Sequence, residues 1–395
     1  MTDTLIQEKL DQAVAILQEK GVDAWLTFVR ETSQVHDPCL DLILGLELTW
    51  QSALLIGRGG ERIAIVGFYD TDNVRNTGGW SEVIGYHQSL REPLWNALER
   101  LNPTQIAVNF SESDPAADGL THGMYLVLTG LLAGTPYADR LISAEAIIGA
   151  LRGRKTPGEV ARIRRAIATT EEIFAALTPR LRPGQSELEI AAMVKAEVAA
   201  RGLAPAWSPE YCPIVNAGPD SSPGHAAPAH HRTQRGHLLH LDFGVKQDGF
   251  VSDLQRMWYF LDEGESGPPD DVRRAWEACW AAMEAGRAAL KPGAQGWEVD
   301  AAARAALVAA GYPEYQHALG HHMGRTAHDG ATVLGPRWER YGRTPYGVVE
   351  PGYVMTLELG TAVPNRGYIG LEEDVLVTES GAEYLSTPQK ELWCI

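Results

Sequence analysis

Paired cysteines are missing from this chain. Cys39, Cys212, Cys279 and Cys394 are scattered with no CxxC spacing among them, which argues against a disulfide framework or a zinc ribbon and suits reduced thiols in a cytosolic protein. Long apolar runs are missing too, since no stretch approaches the ~20 residues needed to span a bilayer. The opening MTDTLIQEKLDQ carries acidic and polar residues where a secretory leader needs basic and then apolar ones. Positive charge is scarce: 34 Lys+Arg stand against 51 Asp+Glu, for a formal charge of −17. A chain so acidic is a poor partner for nucleic acid or an anionic membrane. Short-period repeats and low-complexity tails are absent. The cytoplasm is therefore the expected compartment.

What is present is ordinary globular material, with 45% apolar and 22% charged residues. A chain of 395 residues exceeds the usual single domain, so two domains are expected. In the first, Leu10, Val14, Ile16 and Leu17 have the spacing of an amphipathic helix that ends at Gly21. GVDAWLTFV and SALLIGRGGERIAIVGF read as a buried strand and a hairpin turning at Gly59-Gly60. Helices near Leu94–Leu101 and Gly123–Leu132 flank the strand TQIAVNF, which makes an α/β domain over residues 1–153. That stretch holds no cluster of metal-binding or nucleophilic residues.

LRGRKTPGE marks the boundary, and residues 154–395 form the second domain. Thr156 is placed as an N-cap, with Pro157 at the first helical position and Glu159 closing a capping box. Further helices are expected over Ser186–Arg201, Asp271–Leu290 and Trp297–Ala310. The strands HLLHLDFGV, GFVSDLQRMWYF, YVMTLELG and DVLVTE make this part α+β and mostly antiparallel.

Nine of the twelve histidines fall between His225 and His328. In HLDFGVKQDGFVSDLQR, a hairpin at DGF would pair two strands and turn Asp242 and Asp253 toward one pocket. Carboxylates ending apolar strands are costly unless a positive partner compensates them. HALGHHMGRTAHDG adds His317, His321 and His328 among glycines, which allow close backbone approach. YVMTLELG and YIGLEEDVLVTESG place Glu358 and a second glutamate, Glu372 or Glu373, inside apolar strands. If Leu371 faces the core, alternation puts Glu373 on its side and turns Glu372 away, so Glu373 is the expected partner. Four carboxylates and one imidazole form a hard, oxygen-rich set that neutralises two divalent cations and suits manganese, iron(II) or cobalt before zinc. Such a pair of ions can activate water and polarise a carbonyl.

The order Asp, Asp, His, Glu, Glu in these contexts resembles the pita-bread metallopeptidases, the group of methionine aminopeptidase, aminopeptidase P, prolidase and the metal-free creatinase. The resemblance runs from about Thr156 to the C-terminus. Weaker similarity over residues 1–150 points to the proline-specific branch with its creatinase/prolidase-type N-terminal domain. It implies a pita-bread catalytic domain with Asp242, Asp253, His321, Glu358 and Glu373 as ligands of two metal ions, manganese first and cobalt, iron or zinc as alternatives. It further implies that His225 and His317 line the substrate pocket, that His328 binds the scissile carbonyl, and that Glu358 accepts the proton of the attacking water. The implied substrate is a small peptide with proline after the scissile bond. Xaa-Pro dipeptides come first; longer Xaa-Pro peptides, or a non-catalytic peptide-binding role, are the alternatives. A homodimer is implied by the resemblance alone.

Three positions depart from the family pattern. Leu371 stands where many proline-specific members carry an Arg, Gln255 where Thr is common, and Leu359 where Pro is common. Arg337, Arg340 and Arg343, set among Trp338, Tyr341 and Tyr346, are candidates to replace the missing Arg. His230, His231, His237, His240 and His322 are read as hydrogen-bonded core or surface residues.

Overall fold

Helix α1 spans Thr4–Lys20 and stops at Gly21, whose φ of +68° a residue without Cβ adopts at little cost. The computed structural model describes residues 4–221, 224, 226–330 and 332–395. It divides into two compact units, 1–152 and 153–395. Among the described residues no helix is long and apolar enough to cross a membrane.

The first unit continues with helices α2 (Leu40–Ile43), α3 (Thr71–Asn76), α4 (Arg91–Leu101), α5 (His122–Leu132) and α6 (Glu145–Gly153). Its strands are β1 (Ala24–Val29), β2 (Ser52–Gly57), β3 (Arg62–Gly67), β4 (Glu82–Tyr86), β5 (Ile106–Val108) and β6 (Leu141–Ser143), in the sheet order β4-β3-β2-β1-β5-β6. β2 and β3 are the antiparallel hairpin expected around Gly59-Gly60. Neighbours along β1 go to opposite faces, Trp25 into a cluster with Leu10, Leu17 and Ile148, and Leu26 into one with Leu94, Leu98 and Leu128. The sheet is thus covered on both sides, as an α/β layer requires.

The second unit opens on α7 (Pro157–Leu177), where Thr156 and Glu159 form the full capping box. It also contains α8 (Glu187–Ala200), α9 (Asp270–Ala289) and α10 (Gly296–Ala309). Its strands are β7 (Ala204–Pro205), β8 (Ile214–Ala217), β9 (Leu238–Phe243), β10 (Val245–Gln247), β11 (Phe250–Val251), β12 (Leu254–Tyr259), β13 (Val354–Val363), β14 (Gly367–Thr378), β15 (Gly381–Tyr384) and β16 (Trp393–Cys394). The main sheet runs β13-β14-β12-β9-β8, with β15 on β14 and β16 on β12. All its pairings except β12–β16 are antiparallel. Val272, Met283, Val299 and Leu307 of α9 and α10 join Leu357, Leu359, Leu371 and Val375 of the sheet in one buried apolar cluster.

The turn read at DGF joins β10 to β11, with Gln247 paired to Phe250. Asp248 and Gly249 take φ of +51° and +81°, the left-handed pair that a two-residue hairpin of this twist needs. Gly244, between β9 and β10, lies so close to Ser252 that an added Cβ would sit 1.7 Å from its carbonyl oxygen. These constraints fix the register of β9 against β12, and that register builds the site.

Candidate metal centre

One row of cross-strand neighbours crosses the main sheet. Ile214 pairs with Asp242, Asp242 with Gln255, Gln255 with Glu372, and Glu372 with Glu358. Neighbouring strands lie ~4.8 Å apart, so the side chains of such a row touch. All five open into one cavity of about 880 Å³, together with Asp253, His317, His321 and His328. Residues distant in sequence meet because β9, β12, β14 and β13 are neighbours in that order.

Asp253 immediately precedes β12 and is 6% exposed. Its backbone N–H donates to Asp374 Oδ2 at 3.2 Å. His321 points Nε2 at the carboxylates, 3.6 Å from Glu358 Oε1 and 4.0 Å from Asp253 Oδ2. Its Nδ1 lies 3.1 Å from the His322 carbonyl, which fixes the proton there and leaves the Nε2 lone pair for a cation. One ligand atom each from Asp253, His321 and Glu372 lies within 4.8 Å of the others. The His328 ring meets the His321 ring edge-on at 4.3 Å. His317 lines the cavity, with Nδ1 held at 2.7 Å by the Ala318 carbonyl. His225 lies outside the described residues.

Glu373 is the correction. Leu371 does face the apolar cluster and Glu373 does share its side of β14, but the cavity opens on the other side. There Glu372, the cross-strand partner of Glu358, lines the cavity. Glu373 is engaged elsewhere: Arg256 pairs with it at 3.1 Å, Ser386 Oγ donates at 2.6 Å and the Gln389 N–H at 2.9 Å. The strand is buried on both faces, so alternation sorts the residues into two sets without saying which set faces the site. The position two residues before the cavity glutamate accordingly moves from Leu371 to Gly370.

The structure also enlarges the set. Asp374 shares the Glu372 face, is fully buried and holds the Asp253 backbone. His240 lines the cavity instead of serving as a plain core residue; it lies two residues before Asp242 on the same strand, a spacing visible in HLLHLDF. Gln255 donates through Nε2 to Glu372 at 3.0 Å and Glu358 at 3.3 Å. His322 keeps its structural role, buried against the Tyr353 ring. Arg337, Arg340 and Arg343 do not line the cavity. Arg337 lies over Trp297, and Arg340 over Trp338 and Tyr341, so stacking on aromatic faces occupies two of the three.

Burial pushes Asp242, Asp253, Glu372 and Asp374 well above the ordinary carboxylate range. Neighbouring carboxylates add to the rise: Glu358 for Asp242, and Asp242 and Asp374 for Asp253. Burial lowers His240 to about 4, so its ring is neutral. No Lys or Arg is among the described residues lining the cavity, and Asp242 Oδ1 is buried without a hydrogen-bond partner. Crowded desolvated carboxylates, an orphaned carboxylate oxygen and an imidazole nitrogen aimed among them fit divalent cations, whose charge supplies the missing compensation.

A model of metallopeptidase family M24 matches residues 161–379, more than half of the chain. The Xaa-Pro dipeptidase of Pyrococcus furiosus is 30% identical over 247 residues, 62% of this chain and 66% of that protein. The uncharacterized peptidase YqhT of Bacillus subtilis is 25% identical over 347 residues, 87% of this chain and 90% of its own. Among solved structures, the Xaa-Pro dipeptidase from Bacillus anthracis superposes with a TM-score of 0.75 at 22% identity, covering 99% of this chain and 100% of that one. The X-Pro aminopeptidase from Thermotoga maritima gives 0.72 at 22% identity, covering 98% and 99%. These similarities bear out the pita-bread fold expected from the sequence. The protein belongs to metallopeptidase family M24, and membership in a metallopeptidase family implies divalent metal ions.

Proposed function

We propose that this metallopeptidase hydrolyses the peptide bond preceding proline, using two divalent cations held by Asp242, Asp253, His321, Glu358 and Glu372. The observation that carries the reading is the row of carboxylates joined by Asp253 and His321 in a cavity lined by no Lys or Arg among the described residues. The cations, manganese before cobalt, iron or zinc, would supply Lewis acidity for an attacking water and for the scissile carbonyl. Glu358, half-buried and lining the cavity, accepts the proton of the water and returns it to the leaving nitrogen. His328, against the edge of His321, donates to the carbonyl oxygen as negative charge grows there. His317 and His225 are proposed to line the pocket for the peptide. Asp374 touches no reacting atom; it holds the backbone of Asp253.

The test is turnover of Xaa-Pro dipeptides, Xaa-Pro-Xaa tripeptides and proline-free controls by metal-stripped protein reloaded in turn with Mn2+, Co2+, Fe2+ and Zn2+. Cleavage confined to bonds before proline is expected. Equal cleavage of the proline-free peptides would remove the specificity, and no cleavage with any of the four metals would remove the activity.

One observation favours the longer substrates. A dipeptide leaves its free carboxylate within a few ångströms of the scissile bond, yet no Lys or Arg lines the cavity among the described residues and Glu314 stands at its wall. A tripeptide moves that charge outward. A kcat/KM ratio above about 10 in favour of tripeptides, ~1.4 kcal/mol of discrimination, is expected on this reading; a ratio below 1 restores the dipeptide preference.

A further inference from the structure

Gln255 is the one uncharged polar residue in the middle of the carboxylate row, between Asp242 and Glu372. Its Nε2 gives one proton toward Glu372 Oε2 at 3.0 Å and the other toward Glu358 Oε2 at 3.3 Å. Its Oε1 lies 2.8 Å from His240 Nε2, and His240 Nδ1 lies 2.8 Å from the Asn216 side-chain amide. Asn216 reaches Ser221 Oγ at 3.1 Å. Asn216, Ser221, His240 and Gln255 are all buried. An amide oxygen only accepts, so in the contact with Gln255 Oε1 the His240 Nε2 is the donor.

We infer that His240 and Gln255 together are a positioning device that selects which oxygen of Glu358 and of Glu372 is left for a cation. This rests on the metal-centre reading above. The physical reason lies in the amide. An amide turned the other way would aim its oxygen at two carboxylates and repel both. The His240 N–H, committed to Oε1, blocks that turn, so the NH2 stays on the Oε2 atoms. Glu358 Oε1 is then directed to the side where His321 Nε2 stands, 3.6 Å away. A lysine or arginine in place of Gln255 would also donate, but its charge would replace that of the cation. A neutral donor orients the glutamates without cancelling their charge.

A second, independent observation supports the pair. A Cβ at Gly370 would lie 2.6 Å from Gln255 Oε1 and 2.7 Å from His240 Nε2. The strand leaves out a side chain at the point where their hydrogen bond passes.

The experiment is a titration of metal-stripped protein with Mn2+, and then with Co2+, following free Mn2+ by its EPR signal so that affinity and stoichiometry are read without activity. Q255L and H240L are expected to weaken binding by about 10–100-fold, the usual effect of losing a group that orients ligands. The double variant should be no more than about threefold weaker than Q255L, because the two residues act as one unit. H240Q, whose amide nitrogen can stand near the lost Nε2, should return to within about threefold of the parent. Should H240L fail to fold, H240Q and Q255E carry the test: Q255E keeps the shape, places a third carboxylate between its neighbours and is expected to orient the glutamates worst. Unchanged affinity in Q255L and H240L, or effects that multiply in the double variant, would overturn the inference and leave the metal centre standing. A parent protein that takes up neither ion removes the metal-centre reading and this one with it.

Discussion

Glu372 and Glu373 are adjacent in sequence and opposite in chemistry. Glu373 is satisfied by Arg256, Ser386 and the Gln389 backbone, so its charge is built into the fold. E373Q is expected to break a buried pair and lower stability by about 3–5 kcal/mol, while metal stoichiometry is retained in whatever protein remains folded. Glu372 is desolvated in a cavity lined by no Lys or Arg among the described residues, and burial raises its carboxyl well above the ordinary range. E372Q should therefore lose at least about 100-fold in turnover, since it removes a proposed metal ligand. Metal-stripped E372Q, however, should melt at or above the parent, because an amide is easier to bury than a strained carboxylate. Denaturant unfolding alongside metal analysis separates the two cases. Equal instability of the stripped variants would show that both glutamates are structural.

At the scale of elements, the start of α7 was fully legible. Thr156, Pro157 and Glu159 form a local signal, and the cap they predict is present. T156A should cost about 1 kcal/mol in denaturant unfolding and leave kcat unchanged; a large loss of kcat with intact stability would give this helix end a role in the site. The hairpin at Asp248-Gly249 was legible for the same reason, because the positive φ of both residues is a preference of Asp and Gly themselves. Glycine 370 carried no such signal. Its side-chain space is occupied by residues 115 and 130 positions away in sequence, Gln255 and His240. G370A is expected to displace that pair and weaken Mn2+ binding by about tenfold, the lower end of such effects; undisturbed affinity would show that the pair yields easily.

For the whole molecule, the four carboxylates raised by burial set a pH dependence. Their folded-state values lie above the unfolded ones near ~4, so the unfolded chain releases its protons first as pH rises. The metal-stripped protein accordingly loses stability from about pH 4 upward, through the raised values. Bound cations favour the ionised forms and remove that penalty. The gap in Tm between metal-loaded and stripped protein should thus widen between about pH 5 and 8, as calorimetry at several pH values would show. A constant or narrowing gap would mean that the carboxylates are not paired with metal.

Local structure and candidate chemistry were legible in the order of residues. Helix ends, the hairpin and the α/β and α+β halves follow from periodicity and turn residues, and acids set in apolar strands marked Asp242, Asp253 and Glu358 as candidates; His321 was singled out among the histidines by the family resemblance. What depends on which strands are neighbours emerges only in the folded sheet. The fold turned Glu372 rather than Glu373 to the cavity, because a strand covered on both sides has no sequence mark for the face that holds the site. It drew His240 and Gln255 together with the carboxylates, and it set Arg337 and Arg340 on aromatic rings away from the cavity. Propensity acts over a few residues, whereas the register of β9, β12, β14 and β13 is a property of the folded sheet.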